Sequence, residues 1–179
     1  MRETYKMTIA GVERELPKYA VSDKLSIAAF ILFGDVEITE KSAKALLDIC
    51  PQHDIVVTAE AKSIPLCYEF ARIGCKEYVV ARKGTKVYMS DPISVSVNSI
   101  TTAYDQKLYL GQEDVEKIKG KRVLIIDDVV STGESLLALE KLVQAAGGNI
   151  VGKAAVLAEG DAAERSDIIY LEKLPLFFK

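Results

Sequence analysis

Asp127 and Asp128 stand side by side directly after four apolar residues, Val123 to Ile126, and are followed by Val129, Val130 and a small polar run, Ser131-Thr132-Gly133-Glu134-Ser135. Two ionised carboxylates accept hydrogen bonds and donate none, so they suit polyol hydroxyls or a hydrated divalent cation and repel a phosphate. The hydroxyls of Ser131, Thr132 and Ser135 have the opposite preference. If a helix begins among them, its first N–H groups point into the turn and, with those hydroxyls, surround a phosphate at the positive end of the helix dipole. A ligand that carries a phosphate next to a diol is a ribose 5-phosphate.

The flanking elements must hold these groups at one place. A continuous apolar run ending in turn chemistry reads as a strand buried on both faces, as in a parallel sheet. The following SLLALEKLVQAAGG puts Leu136, Leu139, Leu142, Val143 and Ala146 on one helical face, with Gly147 and Gly148 placed to stop it. A second strand-loop-helix unit precedes it: residues 54–58, DIVVT, lead through Ala59-Glu60-Ala61-Lys62-Ser63 to a helix over 64–73 with Pro65 in its first turn and Gly74 at its end. A third strand, 77–81, runs into Arg82, Lys83 and Lys86. A basic run is usually a solvated face, but at the C-terminal edge of a parallel sheet, beside two anion-binding loops, it makes a polyphosphate clamp. Residues 93–101 alternate as a strand that returns over 107–110; 111–120 read as a short polar helix, 150–158 as a buried strand tipped by Glu159-Gly160-Asp161, and 168–171 as a last strand. Strands alternating with helices predict an α/β fold, a doubly wound, mostly parallel sheet with helices on both faces.

The N-terminal third carries no such chemistry. Residues 5–16 read as a hairpin turning at Ala10-Gly11. Ser22 or Asp23 is placed to cap a helix carrying Leu25, Ile27, Ala28, Phe30 and Ile31 that ends near Gly34, and a second helix over 39–50 would bury Ala43, Leu46, Leu47 and Cys50. The apolar tail LPLFF is expected to pack on this region or at a dimer interface. At 179 residues one domain, 1–179, accounts for the chain. A net charge of −3 argues against a general nucleic-acid binder. Cys50, Cys67 and Cys75 lack CxxC spacing and His53 is the one histidine, so reduced, buried thiols are expected and not a metal site. The start, MRETYK, leads into no apolar stretch of a secretory signal, and the longest apolar run, 27–33, is too short to cross a bilayer; the expected location is cytoplasmic, with no membrane association.

The 121–135 stretch, KRVLIIDDVVSTGES, resembles the signature of the type I phosphoribosyltransferases, which use 5-phosphoribosyl 1-pyrophosphate (PRPP). An acidic pair closing a buried strand also occurs in response-regulator receivers and beside P-loops, but receivers carry it near the chain start, and no G-x-x-x-x-G-K-[ST] is present. The resemblance implies that Asp127 and Asp128 hold the ribose 2- and 3-hydroxyls and act in catalysis, and that Ser131, Thr132, Gly133, Glu134 and Ser135 hold the 5-phosphate, the Glu134 side chain turning outward. It implies that Ala61, Lys62 and Ser63 form a pyrophosphate loop. Lys62, where adenine-type members often carry Arg, would offset the charge developing on departing pyrophosphate; alternatively it is a solvated loop residue. Arg82, Lys83 and Lys86 resemble the Arg-Lys-x-x-Lys of adenine- and xanthine-type enzymes, which reaches the pyrophosphate of the same or the partner subunit and so implies a homodimer. Mg²⁺ is the implied cofactor, carried by PRPP and assisted by Asp127 and Asp128. A mobile flap would include Ser99, Thr101 and Tyr104. Residues 52–160 would be the core, and residues 1–50 with the C-terminal tail a small N-terminal hood over the base, for which Val129, Val130 and Phe30 are candidate contacts.

The implied activity is transfer of ribose 5-phosphate from PRPP to a purine, with release of pyrophosphate, in nucleotide salvage. Adenine is the expected base and xanthine or another nucleobase the alternative. Ser131 stands where hypoxanthine-guanine enzymes have an aspartate, which favours adenine, whereas Asn98-Ser99-Ile100-Thr101 lacks the glutamate of the adenine-type flap. A non-catalytic alternative is a PRPP sensor: residues 62–65, 82–87 and 95–98 are similar to the PRPP-sensing domain of purine-operon repressors. Residues 1–50, however, are too short and insufficiently basic to form their winged-helix DNA-binding domain.

Overall fold

The computed structural model describes residues 3–97 and 106–179. Strands β1 (Thr4–Ile9) and β2 (Val12–Ala20) form the expected hairpin, with Ala10 and Gly11 both left-handed at φ 49° and 80°, as a two-residue primed turn requires. There follow β3 (Leu25–Ala28), α1 (Val36–Ile49), β4 (Ile55–Ala59), α2 (Ile64–Ile73), β5 (Tyr78–Ala81), β6 (Ile93–Val97), β7 (Gln106–Leu110), α3 (Gln112–Ile118), β8 (Arg122–Val130), α4 (Glu134–Ala145), β9 (Asn149–Glu159), β10 (Ile169–Leu174) and β11 (Phe177–Phe178). The sequence-expected flap residues Ser99, Thr101 and Tyr104 lie outside the described residues.

The core is a five-stranded parallel sheet in the order β10-β9-β8-β4-β5. Because each strand of the β8 centre sends alternate side chains to opposite faces, Val123 and Ile125 enter one core while Leu124 and Ile126 enter the other. On the first face lie α4, α3 and the β6–β7 hairpin; on the second lie α1, α2 and a four-stranded antiparallel sheet, β1-β2-β3-β11. Helix α4 buries Leu136, Leu139, Leu142 and Val143, the face its spacing predicts.

One expected element is overturned. Residues 25–31 are not helical: Leu25–Ala28 is a strand, paired on one edge with Ala20, Tyr19 and Lys18 of β2 and on the other with Phe177 and Phe178 of β11. Ser22 and Asp23 sit in the connecting turn, where the Ser22 hydroxyl accepts a hydrogen bond from the Lys24 N–H. The run is apolar at nearly every position and so has no period of its own; cross-strand partners decide its form. The segment after it keeps the alternation, with Phe30 and Leu32 buried and Ile31 and Phe33 about half exposed. The C-terminal tail packs on the antiparallel sheet, Phe177 edge-on to Tyr5 with ring centres 5.1 Å apart. The three cysteines are free thiols, and burial pushes Cys50 up to about 12.

Helix α1 starts earlier than the sequence pattern suggests because Asp35 caps it. Its Oδ1 accepts the Ile38 N–H at 3.2 Å, while its two oxygens accept Nη2 and Nε of Arg14 from β2 at 3.0 and 2.7 Å. One carboxylate thus ends the helix and anchors the antiparallel sheet to the core. Arg14 first, then the Ile38 N–H, hold the Asp35 carboxyl below its ordinary value against the opposing effect of burial. Asp35→Ala is expected to cost about 1–2 kcal/mol at pH 7 and lower Tm by roughly 2–8 °C. A depressed carboxyl contributes stability above its unfolded value that is lost as pH falls through the folded one, so the gap to the wild type should narrow below about pH 4 in thermal melts.

Candidate active site

The site forms where the sheet changes direction. Chain order runs from β4 outward to β5, and from β8 outward the other way to β9 and β10, so β4 and β8 are neighbours whose following helices leave on different courses. Such a switch point leaves a crevice at the C-terminal ends of its strands. Here the β4–β8 ladder ends at Val57–Ile125, while β8 stays paired with β9 as far as Val130–Ala158. Asp127 and Asp128 therefore sit on a strand held firmly on one side and open on the other.

Ser63, at the start of α2, fills that opening. Its hydroxyl lies 2.5 Å from Asp127 Oδ1 and 3.2 Å from Asp128 Oδ1, and it accepts the Asp128 N–H at 3.1 Å. The same N–H reaches Asp127 Oδ1 at 2.9 Å. Lys62 Nζ pairs with the buried Asp128 Oδ2 at 2.9 Å, and no further donor reaches that oxygen among the described residues. The Asp128 side chain is 4% exposed and Lys62 54%, so the pair has one fixed member and one free to leave. Burial, then the charge of Asp128 and the hydrogen bond with it, push the Asp127 carboxyl up to about 7.

The loop after β8 is a cradle. Gly133 is left-handed at φ 81° and α4 begins at the next residue. No side chain caps this helix; its first backbone bond runs from the Leu137 N–H to the Gly133 carbonyl. The preceding amides of the first turn are left to bind an anion. Asp127, Val129, Val130 and residues 131–136 line a hollow of about 130 Å³. Larger hollows of about 370 and 480 Å³ run between α1 and α2, the first lined by Pro65 at the start of α2 and neither by Asp127 or Asp128.

The third loop is tied to the first by a residue that sequence reasoning passed over. Glu60, beyond the tip of β4, accepts the Lys83 N–H at 3.0 Å and pairs with Arg82 Nη2 at 3.2 Å. The Lys83 N–H, chiefly, and the charges of Arg82, Lys86 and Lys83 hold its carboxyl below its ordinary value. The peptide bond between Glu60 and Ala61 is cis. The sheet thus brings together residues 61–63, the acidic pair, residues 131–135 and the basic run, with Lys83 and Lys86 exposed. It does not bring Phe30: that ring is 4% exposed in the core beneath the antiparallel sheet, because it has the inward phase of an extended segment. The Ser63 side chain faces the carboxylates, a contact on which the sequence reading makes no statement. Among the described residues no group of three or more His, Cys, Asp or Glu could hold a metal ion, and no helix is long and apolar enough to cross a membrane.

A parallel sheet with an uncapped helix start, an acidic pair and a second strand-tip loop at its switch point has the groups that suit a phosphorylated sugar. Residues 35–174 match the phosphoribosyl transferase domain family, and the chain belongs to that family. It is 33% identical over 134 residues to a hypoxanthine/guanine phosphoribosyltransferase of Methanococcus voltae, covering 75% of this chain and 68% of that protein. It is 36% identical over 112 residues to the protein of that name from Methanothrix thermoacetophila, covering 63% of this chain and 55% of that one. Its fold is similar to that of an adenine phosphoribosyltransferase from Saccharomyces cerevisiae solved with adenine, at a TM-score of 0.70 and 19% identity over 88% of this chain and 92% of the other.

The raised Asp127 carboxyl has a measurable consequence. In the unfolded chain it ionises near pH 4 and in the folded protein at a higher pH, so its penalty on stability grows as pH rises above about 4. Asp127→Asn removes the penalty and is expected to raise Tm by roughly 3 °C or more at pH 8, with the gain vanishing by about pH 4 in thermal melts without ligand.

Proposed function

We propose that this protein transfers ribose 5-phosphate from PRPP to a purine base with release of pyrophosphate. The observation that carries the reading is the crevice between β4 and β8, where one serine joins an acidic pair to the loop that starts α2 and a phosphate cradle lies directly beyond. In this reading the cradle takes the 5-phosphate, Asp127 and Asp128 accept from the ribose hydroxyls, and the amides of Ala61 to Ser63 face the pyrophosphate. Lys62 leaves Asp128 for the pyrophosphate when PRPP enters, exchanging one anionic partner for another as the ribose hydroxyls take its place on the carboxylate. Arg82, Lys83 and Lys86 complete the clamp. Displacement at the anomeric carbon needs a fixed ribose and a dry, cationic exit for the leaving group more than it needs covalent help. The residues present fit a Mg²⁺ ion that arrives with PRPP, since the half-exposed Lys62 can leave Asp128 Oδ2 and, among the described residues, no group of three or more His, Cys, Asp or Glu forms a cage of its own. Bound there, Mg²⁺ would neutralise the leaving pyrophosphate.

The base is read by other groups. Ser131, exposed at the mouth of the cradle, brings no carboxylate to a purine and favours adenine. The names of the archaeal relatives favour a 6-oxopurine. We take the protein to act as a homodimer in the cytoplasm, because the basic run continues into Val87 and Tyr88, fully and 69% exposed, an apolar pair suited to a second copy.

A pyrophosphate-release assay with PRPP and Mg²⁺, supplying adenine, hypoxanthine, guanine and xanthine separately, is expected to show turnover with a purine and to name it. Binding of PRPP without release for any base would identify a PRPP sensor instead. Asp128→Asn should weaken PRPP binding and lower transfer by roughly 100-fold or more with little loss of Tm; unchanged affinity and rate would remove the ribose role. Light scattering should give the mass of a dimer, and Tyr88→Ser should shift it towards monomer.

A further inference from the structure

Arg165 lies in no motif, yet the fold carries it to the phosphate cradle. It follows a short 3-10 turn, Gly160–Glu164, at the C-terminal end of β9, the strand that flanks β8 on the side away from β4. Asp167 grips its guanidinium with both oxygens, accepting Nε at 2.9 Å and Nη2 at 2.8 Å. The remaining amino group, Nη1, has no hydrogen-bond partner among the described residues and lies against Gly133, where a Cβ would come within 2.4 Å of it.

The grip is itself anchored. Asp167 Oδ2 also accepts Lys153 Nζ of β9 at 2.5 Å, and that ammonium, only 14% exposed, reaches Glu140 Oε1 at 3.0 Å. Glu140 belongs to α4, whose N-terminus frames the cradle. The helix is thus tied through Lys153 and Asp167 to the guanidinium that presses on the left-handed glycine at its own start. Two acids and two bases carry no net charge together, and Arg165 is not among the residues lining the hollow. The network therefore acts by position and adds little field at the phosphate.

We propose that Arg165 is a positioning residue of the phosphate cradle: held by Asp167, its guanidinium occupies the space beside Gly133 and keeps residues 131–135 in the form that admits a phosphomonoester. This rests on the reading that the cradle takes the 5-phosphate of PRPP, and the test separates the two. Calorimetry of the full-length wild type with ribose 5-phosphate, and with PRPP and Mg²⁺, comes first; no binding of either overturns the reading and this proposal with it. Given binding, Arg165→Ala is expected to raise the Kd for ribose 5-phosphate and the KM for PRPP about tenfold with kcat within about twofold. Asp167→Asn should act in the same direction. By charge alone that variant would tighten an anion, so weakening is the signature of lost positioning. Gly133→Ala should weaken ribose 5-phosphate markedly in the wild type, where both the left-handed backbone and the guanidinium oppose a Cβ, and by a clearly smaller factor in the Arg165→Ala background, where the backbone strain alone remains. Unchanged affinity in Arg165→Ala, tighter binding in Asp167→Asn, or the same Gly133→Ala penalty in both backgrounds would each overturn the proposal with the reading of the cradle intact. If Arg165→Ala does not fold, Asp167→Asn decides.

Discussion

The active-site half of the sheet depends on one hydroxyl. Beyond Ile125 strand β8 has lost β4 as a neighbour, and two adjacent carboxylates at such a place would repel each other and splay towards water. Ser63 prevents this by directing its one hydroxyl proton between the two carboxylates, closest to Asp127, and accepting the Asp128 N–H, which replaces the missing backbone partner with a side chain from the next loop. Because Ser63 is 2% exposed and begins α2, the geometry of the acidic pair and the course of the first anion loop are set together. Neither can move without the other.

That coupling explains why the site tolerates so much uncompensated electrostatics. Asp127 is pushed up by burial and by its neighbour, Asp128 Oδ2 is met by an exposed lysine that can leave, and the first amides of α4 lack a side-chain cap. Each is a loss in the ligand-free protein that a phosphorylated sugar would recover, which is how binding groups differ from packing groups. Around them ion pairs hold the frame: Glu60 binds the basic run, Asp54 binds Arg122 at the far end of β8, and Asp167 binds both Arg165 and Lys153. Those pairs keep the tip of β8 and its neighbouring loops in place.

What could be read from the sequence follows the same division. The strand-loop-helix units were legible because buried parallel strands appear as unbroken apolar runs and because Pro65, Gly74, Gly133 and Gly147 punctuate them. The acidic pair and the cradle were legible because residue type and spacing alone state the chemistry. Residues 25–33 were not, since a run without polar interruptions fits a helix and a strand equally, and its partners, β2 and β11, come from opposite ends of the chain. The direction of the Ser63 side chain and the contact of Arg165 with Gly133 depend on how loops from different strands meet, which local pattern does not contain.

Phe30 shows how an extended segment divides its side chains between core and surface. A helix over 25–31 would have put Phe30 and Ile31 on neighbouring faces, but an extended segment sends them to opposite sides, so Phe30 and Leu32 complete the core under the antiparallel sheet while Ile31 and Phe33 face outward. The phosphate, ribose and pyrophosphate groups of the proposed substrate meet loops whose positions the parallel sheet sets. The antiparallel layer is joined to that sheet through a shared apolar core and through the ion pair of Arg14 with Asp35. The loops at the tips of β4 and β8 take their positions from the parallel sheet alone, which separates the two layers in their structural roles.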